Sequence, residues 1–162
     1  MLKKIIPIAL SLSMLIPTIA SADASTKEGN SAKAPYATEL LAERTIIKTN
    51  YDTNQAIRDS RKEKIIKIKA LIAQNKANKT LQAKKADLIA QRAVVKADRD
   101  SLKAINAKLK PIAAKAKTDK AAKDFASLLT DLKAIPDLQT SKTPVLQKLN
   151  SDLDQLITLL SK

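Results

Sequence analysis

The chain contains no cysteine, no histidine and no tryptophan, and Gly29 is its one glycine. Each absence removes a class of chemistry. Without cysteine there is no disulfide framework, no thiol nucleophile and no thiol for a lipid anchor. Without histidine the usual general base near neutral pH is missing, and the two absences together remove nearly all zinc ligand sets. A lone glycine near the N-terminus allows no glycine-rich loop that could cradle a phosphate. Aromatics are limited to Tyr36, Tyr51 and Phe125, so any core is built from aliphatic side chains. The stacking platforms of single-strand nucleic-acid binders are absent as well. Valine occurs only at 94, 95 and 145, which leaves little to build strands from.

Long apolar runs are equally scarce. The one example spans Ile5 to Ile19, preceded by Met1-Leu2-Lys3-Lys4 and followed by the small-x-small triplet Ala20-Ser21-Ala22. A basic start, an uncharged stretch and such a triplet are the three parts of an export signal. Pro7 and Pro17 argue against a permanent spanning helix, and no second long apolar run follows. Residues 1–22 are therefore expected to be a signal peptide. The remainder is expected to be secreted or held at the cell envelope of a bacterium, and not to be an integral membrane protein once cleaved. Residues 23–34 lack apolar periodicity and read as a flexible leader.

From residue 35 to 162 the composition is that of long helices, rich in Ala, Leu, Ile and Lys. Pro35 suits a first helical turn, and a helix is expected from Tyr36 to about Asn75, with a polar middle at Thr49–Ser60 that predicts a bend or a polar seam. The segment Asn75 to Thr80 reads as a tight reversal, its asparagines taking left-handed backbone and Thr80 capping the next helix. Leu81, Leu88, Val95, Leu102 and Leu109 then recur every seven residues, opposite an alanine seam interrupted by Asp100. Pro111 is expected to end or kink that helix. A third helix is predicted to start at Thr118-Asp119 and to carry Phe125, Leu128 and Leu132. A loop is expected from Ile135-Pro136 to Lys142, then a cap at Thr143-Pro144 and a final helix with the stripe Leu146, Leu149, Leu153, Leu156 and Leu160. That stripe would dock on the Phe125/Leu128/Leu132 face. The predicted fold is all-α: a long, coiled-coil-like antiparallel hairpin (35–117) with a smaller C-terminal two-helix unit (118–162). A compact four-helix bundle is the alternative.

Charge is segregated along this pattern. Residues 44–123 hold 22 basic and 7 acidic residues, net +15, whereas 124–162 hold 4 and 5, net −1. Lys85, Arg92, Lys96, Arg99, Lys103 and Lys110 follow one another at spacings of 7, 4, 3, 4 and 7, a single helical stripe beside the Leu81–Leu109 seam. Arg58, Lys62 and Lys69 belong to a looser stripe on the first helix. Flanking lysines commonly shield an apolar seam with their stems. Here, however, Arg92 with Lys96 and Arg99 with Lys103 are like charges at i,i+4, each disfavouring an isolated helix by ~0.2–0.5 kcal/mol. An anionic partner would relieve that repulsion, and these nine residues are the candidate anion-binding set.

No nucleophile–base–orienter set can be named, so no enzyme activity and no catalytic residue is expected. No cofactor is called for. Asp52-Thr53-Asn54 begins like a calcium loop, but Ala56 and Ile57 occupy a ligand and the turn-glycine position, and no metal site is expected. Asp98/Asp100 and Asp152/Asp154 are expected to be solvated, since alternate residues on a helix point apart. The expected function is an exported, non-enzymatic helical protein that binds an anionic envelope polymer or lipid surface. Nucleic acid is not specifically indicated, in the absence of a recognition motif. Two other classes fit the same character. One is an extracytoplasmic holdase chaperone, and the other is a coiled-coil structural or assembly subunit forming homo-oligomers through its leucine seams. Small exported basic helical chaperones are similar in character, but a Leu-Thr-x-x-Gln repeat is approached only at Leu129-Thr130-Asp131-Leu132-Lys133, where lysine stands in place of glutamine.

Overall fold

The computed structural model describes residues 33–78 and 80–162. The export signal and nearly all of the leader read from the sequence lie outside the described residues. A 3-10 turn at Ala34–Tyr36 leads into α1, Ala37–Ala77, and Pro35 sits in that turn as its fixed φ suits. A reversal containing a second 3-10 turn, Thr80–Gln82, leads to α2, Lys85–Ala121, and a short turn leads to α3, Phe125–Ser161. There is no strand among the described residues, and the fold is all-α, as the composition predicts. Among the described residues no helix is long and apolar enough to cross a membrane.

The two reversals use different chemistry from that expected. Neither Asn75 nor Asn78 takes a left-handed backbone, and Asn78 closes α1 with φ −84° and its N–H on the Gln74 carbonyl at 3.0 Å. Thr80 caps no helix. Its hydroxyl donates to Asn75 Oδ1 at 2.6 Å, and Lys84 Nζ donates to the same oxygen at 2.8 Å. Asn75 Nδ2 in turn donates to the Leu160 carbonyl at 2.7 Å, which ties the first reversal to the end of α3. At the second reversal the left-handed residue is Lys123, φ 58°. The Lys123 N–H bonds to Lys120 O and the Asp124 N–H to Asp119 O, a Schellman closure with lysine where glycine is usual. Thr118 and Asp119 lie inside α2, and Asp124 caps α3 instead, its carboxylate accepting the Ser127 N–H at 3.1 Å.

Three prolines sit inside helices: Pro111 in α2, Pro136 and Pro144 in α3. Pro136 and Pro144 are expected to bound a loop, and Pro111 to end or kink its helix; the helix does not end there. Instead, Leu109, Ile112 and Ala116 flank Pro111 in one apolar cluster, and Ile135 and Leu146 flank the α3 pair in buried positions. Burial on both sides of each proline outweighs the lost backbone bond, so tertiary packing overrides local propensity. The expected loop at 135–142 is helix, and the third and fourth predicted helices are one. The Leu146–Leu160 stripe therefore continues the Phe125/Leu128/Leu132 face along the same helix rather than docking on it.

The helices run up, down and up. Contacts such as Glu39–Lys133 and Asn75–Leu160 place α1 parallel to α3. Gln91–Asp152 and Lys115–Asp131 place α2 antiparallel to it. The close backbone approaches run α1 to α3 and α2 to α3, so the neutral helix holds the two basic ones together. The apolar interior falls into two clusters. One joins Ile68, Leu102, Leu146, Leu149, Leu153, Leu156 and Leu160, and the other joins Leu40, Ala116, Leu128, Leu129, Leu132 and Ile135. Between them lies a polar waist, where the sequence predicted a polar seam. Buried Asn54 donates to the Gln139 carbonyl at 3.1 Å and accepts the Thr143 hydroxyl at 3.1 Å.

Candidate anion-binding site

The nine nominated cations do not share one fate. Asp100 neutralises two members of the α2 stripe, pairing with Lys96 at 2.6 Å and Lys103 at 3.2 Å. Asp59 does the same for Lys62 on α1, at 2.7 Å. Both acids sit on the same helix as their cations, and hydrogen bonds from those lysines hold both carboxyls below their usual pKa. Lys69, Lys85, Arg92 and Lys110 are exposed and have no carboxylate at ion-pair distance among the described residues. Of the carboxylates on α3, Asp131 pairs with Lys115, Asp154 with Lys64 and Asp152 with Lys148. None of them reaches a nominated residue.

The remaining two, Arg58 on α1 and Arg99 on α2, are half-buried and converge at the waist. There they meet two cations that sequence reasoning missed. Arg61, one turn on from Arg58, lies within electrostatic reach of both Arg58 and Arg99. Lys142 of α3, only 6 % exposed, lies within reach of Arg58 and Arg61. Its ammonium donates to Asn106 Oδ1 of α2 at 2.6 Å. Burial, reinforced by the two arginines, pushes the Lys142 pKa down to about 8. Burial likewise lowers both guanidinium values, for Arg61 with help from Arg58 and Arg99. Arg61 Nε is buried and has no hydrogen-bond partner.

A signal for Lys142 does exist in the sequence. From Leu128 to Leu160 the core positions of α3 run 128, 132, 135, 139, 142, 146, 149, 153, 156 and 160, an unbroken 3-4 alternation in which only Gln139 and Lys142 are polar. Two prolines made the middle of that run read as a loop and hid the lysine in it.

A second charged cluster lies between α2 and α3. Asp98 and Asp152, both buried, come together from different helices, bridged by Lys148 at 2.9 and 2.7 Å. Burial and the neighbouring Asp152 carboxyl push the Asp98 pKa up, while hydrogen bonds to Asp152 and Asp98 push the Lys148 pKa up. Alternate residues on each helix do point apart, as expected, but the expectation that these carboxylates are solvated fails for Asp98 and Asp152, which are buried. What the sequence could not show is that one carboxylate from each helix would turn inward to share a lysine. No group of three or more acidic side chains among the described residues is arranged to hold a metal ion, and Asp52 of the partial calcium pattern lies in mid-helix, paired with Lys48. Compared with known proteins, the chain matches no family model, no curated sequence and no solved structure, so its site is read from its own geometry.

Proposed function

We propose that this is an exported, non-enzymatic helical protein that binds an anionic polymer or surface at the cell envelope through the cations of α1 and α2. The supporting observation is that Lys69, Lys85, Arg92 and Lys110 stay exposed with no carboxylate partner among the described residues, although residues 124–162 carry five carboxylates. Those carboxylates are committed elsewhere or lie apart, so the basic helices keep their excess. Polyanion binding of this kind is dominated by charge and falls steeply with salt.

The test is retention of the chain on wall polymer, on vesicles carrying anionic headgroups and on DNA, followed across a salt gradient. Replacing Lys85, Arg92 and Lys110 together by glutamine is expected to move elution to clearly lower salt without changing the helical content. An absence of retention at low salt, or elution unmoved by the triple replacement, overturns the reading.

The holdase reading draws on a separate observation. Leu41 and Ile66 of α1 and Ile89 of α2 are more than half exposed beside the basic positions. A chaperone using them would suppress aggregation of an unfolded client even in high salt, which a pure charge-driven binder would not do. The leucine seams proposed for assembly are filled within the chain, Leu81, Leu88, Val95 and Leu102 packing with Leu146–Leu160 in one cluster.

A further inference from the structure

We propose that the polar waist is a binding site for one tetrahedral oxyanion, a phosphate or sulfate group, held by Lys142, Arg58, Arg61 and Arg99. The site shares Arg58 and Arg99 with the proposed polyanion surface, but neither reading requires the other.

Three observations carry it. First, an ammonium is buried at a core position of α3, where its one acceptor is Asn106 Oδ1. An ammonium has three donors, so one acceptor leaves it under-satisfied. Second, Arg61 Nε is buried with no partner in the same cluster. Third, the cluster draws cations from all three helices and, among the described residues, contains no carboxylate. Two acidic groups act on it at Arg58: the Tyr51 phenol, and Asp59, which is already engaged by Lys62 and Gln55.

A purely structural role explains less. Polar residues in a helical seam fix the alignment of the helices, and buried Asn54 opposite Gln139 does this with neutral groups. A glutamine at 142 could satisfy Asn106 without bringing a charge into the interior. The lysine adds a like charge beside two arginines, which is unfavourable unless an anion enters. A tetrahedral oxyanion presents acceptors in several directions at once, which suits donors arriving from three helices better than a planar carboxylate does. The lowered Lys142 pKa is the electrostatic trace of the same arrangement. Bound anion would restore the ammonium, and binding should weaken as pH rises through about 8.

The experiment compares the wild-type chain with Lys142→Met and Arg61→Gln, titrated with inorganic phosphate and with sulfate by calorimetry, and melted in phosphate and in sodium chloride of equal ionic strength. Wild type is expected to take up one anion per chain and to gain thermal stability in phosphate beyond the chloride control. Lys142→Met keeps the aliphatic stem and removes the buried charge. It is expected to melt higher than wild type in chloride, yet to bind phosphate at least tenfold more weakly. Arg61→Gln should weaken uptake without raising the melting temperature. In chloride, wild type should also gain stability between pH 8 and 10 relative to Lys142→Met, because the folded lysine releases its proton before the unfolded one does.

Equal phosphate uptake by wild type and Lys142→Met overturns the site, as does equal thermal gain. Both proteins held on immobilised polyphosphate without uptake of inorganic phosphate would overturn the waist site and leave the polyanion reading standing. Uptake lost in Lys142→Met, with no retention of wild type on polyphosphate, would support the waist site and remove the other.

Discussion

The neutral helix and the two basic ones divide the work of the fold unequally. α3 buries eleven of its 37 residues, whereas α1 buries four of 41 and α2 three of 37. Two of the four in α1 are asparagines, Asn54 and Asn75, and one of the three in α2 is Asp98. Burial and charge are thus segregated in the same direction. The helix near neutrality provides most of the fully buried apolar surface, at ~25 cal/mol per Å² removed from water, and the cationic helices pack on it mainly through partly buried side chains such as Ile57, Ile65, Leu88 and Val95. A chain organised this way can hold a large positive excess without repelling its own core, because the excess sits on the staves and the core belongs to the post between them.

The sharpest way to break this comparison is to remove equal-sized side chains from the two sides. Leu149 of α3 is almost fully buried in the larger apolar cluster, while Ile66 of α1 is 68 % exposed. Leu149→Ala is expected to destabilise the fold by about 2–5 kcal/mol, the range for a core leucine that leaves a cavity. Ile66→Ala should change stability by less than about 0.5 kcal/mol, since Ile66 is mostly exposed and belongs to neither apolar cluster, and alanine is the better helix former. Urea denaturation of the two variants measures both. Similar losses would show that α1 carries a buried surface of its own and would refute the division drawn here.

What the sequence made legible follows the same line. The helical class, the Leu146–Leu160 stripe and the Leu81–Leu109 seam depend on apolar spacing alone, and they are where that spacing places them. Helix ends depend on local breakers: the start at Pro35 and the reversal between Asn75 and Thr80 fall where those breakers put them, whereas the boundaries expected at Thr118-Asp119 and at 135–143 lie inside helices. Pro136 and Pro144 suggested a loop that the packing of Ile135, Leu146 and Leu149 forbids. The failure carried over to the site, because Lys142 looks like a loop residue until the 3-4 alternation is followed through it. Arg58 and Arg99 were found from their stripes, but their convergence with Arg61 could not be. It depends on how α1 and α2 are set around α3, and no spacing within one helix encodes that.

The junction between the basic and neutral parts offers a smaller effect of opposite sign. Lys123 holds a left-handed backbone, φ 58°, at the turn from α2 into α3. A non-glycine residue there is strained by roughly 1–2 kcal/mol, partly offset by the extra freedom that glycine loses on folding, roughly 0.5–1 kcal/mol. Lys123→Gly is therefore expected to raise stability by about 0.5–1 kcal/mol in the same urea titration. A loss would mean that the lysine side chain, not the backbone, holds the turn.

The smallest expected effect probes the charge side of the comparison rather than the core. Asp100 is the acidic residue that interrupts the α2 alanine seam, and it engages both Lys96 and Lys103. If the basic helices serve an anionic partner, this carboxylate lowers their capacity, and Asp100→Asn should release two cations onto the face already presented by Lys85, Arg92 and Lys110. The variant is expected to elute from an anionic polymer at modestly higher salt than wild type and with a steeper salt dependence, because more cations then displace counterions from the polymer. Its helical content should be unchanged, as Asp100 lies outside both apolar clusters. Elution at the same or lower salt would show that Lys96 and Lys103 do not face the polymer, and the binding surface would then have to be sought at the waist and on α1.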